Sequence, residues 1–197
     1  MSTDAAAEEI LFAHHAGMTT AFVRGDASAQ SSFGGSIALD LAGAKFGPRP
    51  LQQIGQLALA DIHRTPELKP YTCIPLLYGM SFDGCDLSYR VSNSGVDIEF
   101  MSPDRSSDDW PYRDYPLELP FAPLVGGRVW EESWDEFKEA RIPNLNEWET
   151  SKITIVVPPP KALGFSLWGP EGDAEDVTIV FQYSLDEDSV RAFNLCG

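Results

Sequence analysis

Histidine and cysteine are the residues of this chain most suited to acid–base or nucleophilic chemistry, and each occurs three times. His14 and His15 are neighbours in a stretch predicted to be helical, so their rings would point apart and make a poor metal pair. His63 stands alone beside Arg64. Cys85 lies between two aspartates in the run FDGCDL, and their charge opposes formation of a thiolate. We therefore expect no catalytic residue here, and structural or surface roles for the histidines.

Metal and phosphate motifs are equally sparse. The acidic runs PEGDAED and LDEDS lack the alternating spacing of a calcium-binding loop. The sequence contains no G-x-S-x-G, no P-loop and no H-E-x-x-H. The run SSFGG has no accompanying lysine and no clear helix after it, so it does not resemble a phosphate loop. We expect no metal and no cofactor.

Charge is the strongest feature of the composition. The chain has 197 residues, enough for one domain, with 30 acidic and 14 basic residues and a formal net charge of -16. A nucleic-acid-binding protein needs a basic face, and so does a protein that binds an anionic membrane. The composition therefore predicts neither a nucleic acid nor a membrane as partner. It permits a basic protein partner, and it also permits a role in solubility alone.

Cysteine usage and the N-terminal sequence bear on location. The three cysteines are widely spaced without a C-x-x-C pair, which favours free thiols in a reducing compartment. The first residues are acidic where a signal peptide would be basic. No apolar run approaches the ~20 residues of a membrane span. These features predict a protein of a bacterial cytoplasm.

Periodicity predicts two helices and several strands. A helix is expected over residues 4–24, within an N-terminal helical arm of residues 1–27 that precedes a single domain of residues 28–197. A loop is expected from Ser28 to Gly35 and another from Ser102 to Pro123. A second helix would place Trp130, Trp134, Phe137 and Arg141 on one face. Strands are expected within 51–59, 69–82, 152–160 and 176–185, with a hairpin over 87–101.

Two parts of the sequence echo each other. The run FGG at 33–35 is followed downstream by IGQLALAD, and LGF at 163–165 is followed by VFQYSLDED. Each part has a glycine turn, a loop, and a strand with one central glutamine and an acid at its end. The glutamines are Gln56 and Gln182. The echo suggests an internal duplication.

Residues 31–62 and 161–196 resemble the YwqG-like family, a bacterial family of unknown function. The resemblance rests on SSFGG, PRPLQQIGQLALADI and KALGFSLWGPEGDAEDVTIVFQYSLDED. Phe165 stands where the family has a second glycine, and the family's Gly-Asp-x-Gly turn is absent. The resemblance implies an α+β fold: a β-rich single domain with an internally duplicated mixed or antiparallel sheet and two or so flanking helices.

The paired glutamines admit two interpretations. A buried amide without a partner would cost about 1–3 kcal/mol, so each glutamine should have a hydrogen bond. Gln56 could hold the turn at Gly34 and Gly35, with Gln182 serving the other half in the same way. Alternatively, Gln56 and Gln182 could face a ligand in a polar cleft between the halves.

The run SSDDWPYRDYP is the candidate binding segment. It combines carboxylates with aromatic rings, which would steer a basic partner and supply contact area. The alternative is that the rings only pack a long loop onto the core. The candidate binding residues are Asp108, Asp109, Trp110, Tyr112, Asp114 and Tyr115.

The sequence as a whole predicts a non-catalytic binding protein, for instance an inhibitor or immunity-type partner of a basic protein. The alternative is a small-molecule- or metal-dependent enzyme with its site between the halves, near Gln56 and Gln182.

Overall fold

The computed structural model of the protein describes residues 8–43, 51–62, 71–80, 84–102, 118–145, 152–160, 163 and 177–196. These residues form twelve strands, one α-helix and a short 3-10 turn at Leu59–Asp61. The helix, α1, spans Trp134–Arg141. The strands are β1 Glu9–His15, β2 Met18–Arg24, β3 Ser31–Gly35, β4 Leu41–Ala42, β5 Gln52–Ala58, β6 Cys73–Tyr78, β7 Asp86–Ser92, β8 Gly95–Ser102, β9 Leu119–Glu131, β10 Lys152–Val157, β11 Val177–Ser184 and β12 Ser189–Cys196.

All twelve strands belong to one sheet, in the order β4-β8-β7-β12-β11-β10-β1-β2-β9-β3-β5-β6. Every pairing is antiparallel except that of β4 with β8. Three pairs of consecutive strands are neighbours joined by short turns: β1 with β2, β7 with β8, and β11 with β12. Short connections of this kind are typical of antiparallel sheets.

The sheet curls around one apolar core. β6, at one end of the strand order, lies against β7 and β12, near the other end. Tyr89 of β7 accepts a hydrogen bond from the Leu77 N–H and donates one to the Pro75 carbonyl of β6. Tyr78 of β6 donates to Asn194 of β12 at 2.9 Å. We call the concave side of the sheet the core face; α1 covers the outer face of the central strands through a second apolar cluster around Phe137.

The helix predicted over residues 4–24 is wrong. Residues Glu9–Arg24 are the hairpin of β1 and β2, in the middle of the sheet. Ala16 and Gly17 turn the chain with φ angles of 49° and 74°, as a two-residue hairpin turn requires. Leu11 faces the core while Phe12 packs under α1. Because both faces of β1 are covered, its sequence lacks the polar alternation that identifies a half-exposed strand.

The predicted fold class is also wrong. The protein is mostly β-sheet, with a single α-helix in the described residues, and not an α+β fold with two or so flanking helices. The residues assigned to a helical arm supply two central strands instead. The predicted loop from Ser28 to Gly35 contains β3, a polar and glycine-rich strand held by β5 on one side and β9 on the other. Its serine and glycine residues favour a loop locally, but pairing with two neighbouring strands stabilises the extended conformation of β3.

Other predicted elements are confirmed. β5, β6, β10 and β11 lie within the predicted strand segments, and β7 with β8 forms the predicted hairpin. The helix near residue 134 is confirmed as α1, although Trp130 belongs to β9. Most of the predicted loop from Ser102 to Pro123 lies outside the described residues, and Leu119–Pro123 begin β9. In the described part, no helix has the length and apolarity to cross a membrane.

Candidate binding site: an acidic groove beside helix α1

Helix α1 begins with a reciprocal cap. The Ser133 hydroxyl accepts a hydrogen bond from the Glu136 N–H at 3.3 Å, and the Ser133 N–H donates to the Glu136 carboxylate at 2.9 Å. This capping box satisfies backbone donors that the first turn leaves open. Hydrogen bonds from the Ser133 side chain and backbone lower the pKa of Glu136 below its ordinary value. The cap thus fixes an ionised carboxylate at the start of the helix.

A mostly buried polar network ties α1 to the sheet. Thr19 of β2 donates to the Glu132 carboxylate at 2.6 Å. Arg141, in the last turn of α1, donates to both carboxylate oxygens of Glu132 at 3.1 Å. The side chains of Arg141 and Glu132 are only 15% and 13% exposed, so this pair is shielded from water far more than an ordinary surface pair.

His14 completes the network from β1. Its Nδ1 lies 3.0 Å from the Thr19 hydroxyl. Because the hydroxyl proton of Thr19 goes to Glu132, His14 donates through Nδ1–H. Burial lowers the pKa of His14, an effect that Glu132 opposes and that His15 and Arg141 reinforce. The ring is therefore neutral at pH 7 and packs against Phe137, with 4.7 Å between ring centroids.

Glutamates line a groove beside this network. The groove has a volume of about 420 Å³ and is lined by Trp130, Glu131, Glu132, Glu136, Glu139 and Ala140. A second hollow of about 250 Å³, bounded in part by Gly17, shares three of these glutamates. We call the two together the acidic groove. Carboxylates from the end of β9 and from α1 meet there because only Glu132 and Ser133 separate the two elements along the chain.

Two guanidinium groups of the protein lie over the indole ring of Trp130 at the groove. The Arg128 guanidinium lies 4.3 Å from the centre of the Trp130 ring, and that of Arg141 lies 5.5 Å away. Arg128 also pairs with Glu9 at 3.3 Å. The groove carboxylates that have no arginine partner among the described residues are therefore the groups available to a ligand. Glu131, Glu136 and Glu139 are exposed, and a guanidinium or ammonium group is the chemistry they would bind.

The structure keeps the two predicted glutamines apart. Gln56 lies in β5 and Gln182 in β11, and the strand order places β10, β1, β2, β9 and β3 between them. Gln182 is buried, and its amide nitrogen has no hydrogen-bond partner among the described residues. Gln56 is half-buried and donates to the Gln30 carbonyl at 3.2 Å. Within the described residues, no hydrogen bond joins the two side chains.

The glutamine that holds the glycine turn is Gln53. Its amide donates to the Gly34 carbonyl at 3.0 Å. Gly34 and Gly35 have φ angles of 65° and 88°, which glycine adopts readily. The predicted glycine turn is therefore present, and it lies within β3. The sequence run QQIGQ offered three glutamines, and a β-bulge between Gln53 and Gly55 decides which one reaches the turn. No pattern in the sequence predicts that bulge.

Sequence reasoning also missed a phenol–carboxylate cluster. Tyr71 donates to the Asp188 carboxylate at 2.6 Å and contacts the hydroxyl of Tyr183. Burial raises the pKa of both phenols, that of Tyr183 to about 12. Asp188 has a φ of 53° in the turn between β11 and β12, and its carbonyl accepts from Val91 at 2.7 Å. The cluster joins the start of β6 to that turn.

The predicted binding segment falls outside the described residues. This concerns Asp108, Asp109, Trp110, Tyr112, Asp114 and Tyr115. Cys73 and Cys85 are free thiols, as expected. Within the described ranges, no group of three His, Cys, Asp or Glu side chains is placed to hold a metal ion.

Comparison with known proteins gives no relative: no family model, no curated protein and no solved structure matches the chain. The resemblance to the YwqG-like family stays a prediction from the sequence.

Proposed function

We propose that the chain is a non-catalytic binding protein that captures a basic protein partner through the acidic groove. The observation that carries the proposal is the groove itself, with exposed carboxylates of Glu131, Glu136 and Glu139 beside a rigidly capped helix. The Glu136 carboxylate, which the cap holds in place, needs little ordering when a cationic side chain arrives. An inhibitor or immunity-type partner of a basic protein would use such a surface.

The net charge of -16 supports the same function. A strongly acidic protein attracts a basic partner over several ångströms, and the attraction weakens as salt screens it. The groove adds specificity, because it concentrates glutamates next to apolar and aromatic surface. We place this activity in the cytoplasm, in keeping with the free thiols of Cys73 and Cys85.

Affinity capture from an extract of the source cell tests the proposal with matched variants. Glu136→Gln with Glu139→Gln removes two charges from the groove, and glutamine keeps the capping box intact. Asp186→Asn with Glu187→Gln removes two charges from the exposed turn after β11, and serves as the control.

We expect the wild type and the control to retain a basic protein that the groove variant does not retain. Added salt should release this protein from the wild type. Equal retention by the groove variant would contradict the proposal. So would the capture of no basic protein.

A further inference from the structure

The long strand β9 has an open edge next to the acidic groove. On one side β9 pairs with β2 along Leu124–Glu131, and on the other it pairs with β3 only along Leu119–Leu124. Among the described residues, no strand continues the sheet on the β3 side beyond Leu124. The turn at Leu59–Asp61 approaches Gly126, where an added Cβ would lie 3.2 Å from the Asp61 carbonyl. Beyond that point the strand is exposed, with Val129 43% exposed.

The β1–β2 turn shows which backbone groups of β2 face β9. His15 and Met18 flank the two-residue turn and are directly paired. In a two-residue hairpin the residues of this flanking pair donate backbone hydrogen bonds to each other. The N–H and C=O groups of Met18 therefore point toward β1. The N–H and C=O groups of Thr19, the next residue, therefore point toward the other neighbour of β2, which is β9.

The same alternation identifies the groups at the open edge. Trp130 lies directly opposite Thr19, so its backbone bonds to β2. The Glu132 N–H also points toward β2 and donates to the Gly17 carbonyl at 3.1 Å. Val129 and Glu131 alternate with these residues, and their N–H and C=O groups therefore point away from β2, toward the open edge.

The outer strands β8 and β6 are covered in part, within the residues that the structure describes. β8 is flanked by β4, which pairs with it at Val96 and Asp97. β6 carries Pro75, which has no N–H, and Tyr89 satisfies both the Pro75 carbonyl and the Leu77 N–H. Edge strands are usually blunted in this way, because open edges recruit other chains. The β9 edge has a bulge at Gly126–Gly127, and in the described part of the chain no strand pairs with Val129–Glu131 on this side.

We propose that an extended basic segment of a partner protein adds to the sheet as a strand along Val129–Glu131 of β9, with its cationic side chains in the acidic groove. This inference rests on the proposed function and specifies how the partner binds. Charge complementarity selects the occupant: Glu131 lies on the edge itself and lines the same groove as Glu136 and Glu139. A second copy of this chain would bring another net charge of -16 against the same glutamates. Strand addition would supply backbone affinity and the groove would supply selectivity.

The test uses a synthetic peptide that alternates arginine with valine, and a second peptide of the same sequence with every amide N-methylated. Amide hydrogen exchange on the intact wild-type protein is the first readout. The alternating peptide is expected to slow exchange at Val129 and Glu131 at least tenfold and to leave Trp130 unchanged. The methylated peptide, which keeps the charge but cannot form a strand ladder, is expected to bind at least tenfold more weakly.

A protein variant gives the second readout. Val129→Pro removes an N–H that faces the open edge and no bond to β2, so it should bind the alternating peptide at least tenfold more weakly, while Val129→Ala binds like the wild type. Equal binding of both peptides, without protection at Val129, would overturn strand addition and leave the groove proposal standing. No binding of either peptide would count against the groove as well. A wild-type dimer that Val129→Pro dissociates would assign the edge to a second copy and overturn the inference.

Discussion

The Thr19 hydroxyl and the Glu132 carboxylate lie 2.6 Å apart, and this hydrogen bond joins the centre of the sheet to the residue that precedes the cap of α1. Glu132 also receives Arg141 from the far end of the helix. One carboxylate thus anchors both ends of α1 to β2. The acidic groove depends on this anchor, because Glu132 is one of its lining residues.

Thr19→Val keeps the shape of the side chain and removes the donor to Glu132. We expect it to lower the free energy of unfolding by about 1–3 kcal/mol, because a shielded carboxylate loses one partner. Urea denaturation measures the change. Thr19→Ser keeps the hydroxyl and should lose less. A Thr19→Val variant as stable as the wild type would show that the network does not hold the helix.

His14 makes the fold sensitive to acid. Its pKa is lowered in the folded state, chiefly by burial, so the unfolded chain binds the proton first as the pH falls below the ordinary value of about 6.5. Stability should therefore decrease as the pH falls from about 6.5 toward the folded pKa, and level off below it. Unfolding measured across this range in the wild type and in His14→Gln should show a steeper loss for the wild type. Parallel curves would contradict the assignment.

Tyr71 and Tyr183 make the fold sensitive to alkali. Burial raises the pKa of both phenols, that of Tyr183 to about 12, so the unfolded chain loses these protons first above the ordinary value of about 10. Stability should fall as the pH rises from about 10 toward 12. Ultraviolet absorbance of phenolate should reveal late-titrating tyrosines in the folded protein, one fewer in Tyr183→Phe. Ordinary titration of every tyrosine would contradict the cluster.

Gln53, and not Gln56, should be the glutamine on which the glycine turn depends. Gln53→Ala leaves the Gly34 carbonyl without its donor, and we expect a loss of about 1–3 kcal/mol in the free energy of unfolding. Gln56→Ala removes a solvent-exposed hydrogen bond of a half-buried side chain and should stay within about 0.5 kcal/mol of the wild type. Thermal or urea unfolding of the two variants compares them directly. The reverse order would restore the assignment to Gln56.

The sequence predicted the elements whose pattern was simple. The hairpin of β7 and β8 alternates cleanly around a turn at Asn93 and Ser94, and α1 has both a cap and an apolar stripe. β1 and β2 were misread because α1 covers their outer face, so their buried residues follow no period of two. That covering is a long-range contact, which local periodicity does not contain.

The sequence predicts the acidic character of the candidate site but not its position in the fold. An acidic outer surface on α1 can be read from the order of its glutamates, but the attachment of the helix to β2 follows from the hydrogen bond between Thr19 and Glu132, 113 positions apart. His14 gave no signal, because its role comes from Phe137 above it and Thr19 beside it.

Isothermal titration calorimetry of the alternating arginine–valine peptide distinguishes binding in the acidic groove from attraction by net charge alone. The three proteins compared are the wild type, Glu136→Gln with Glu139→Gln, and Asp186→Asn with Glu187→Gln. We expect the groove variant to bind about tenfold more weakly than the wild type, while the control, with the same net charge as the groove variant, stays within about twofold. Equal weakening of the two variants would mean that binding follows net charge alone, and would contradict the acidic groove as the binding site.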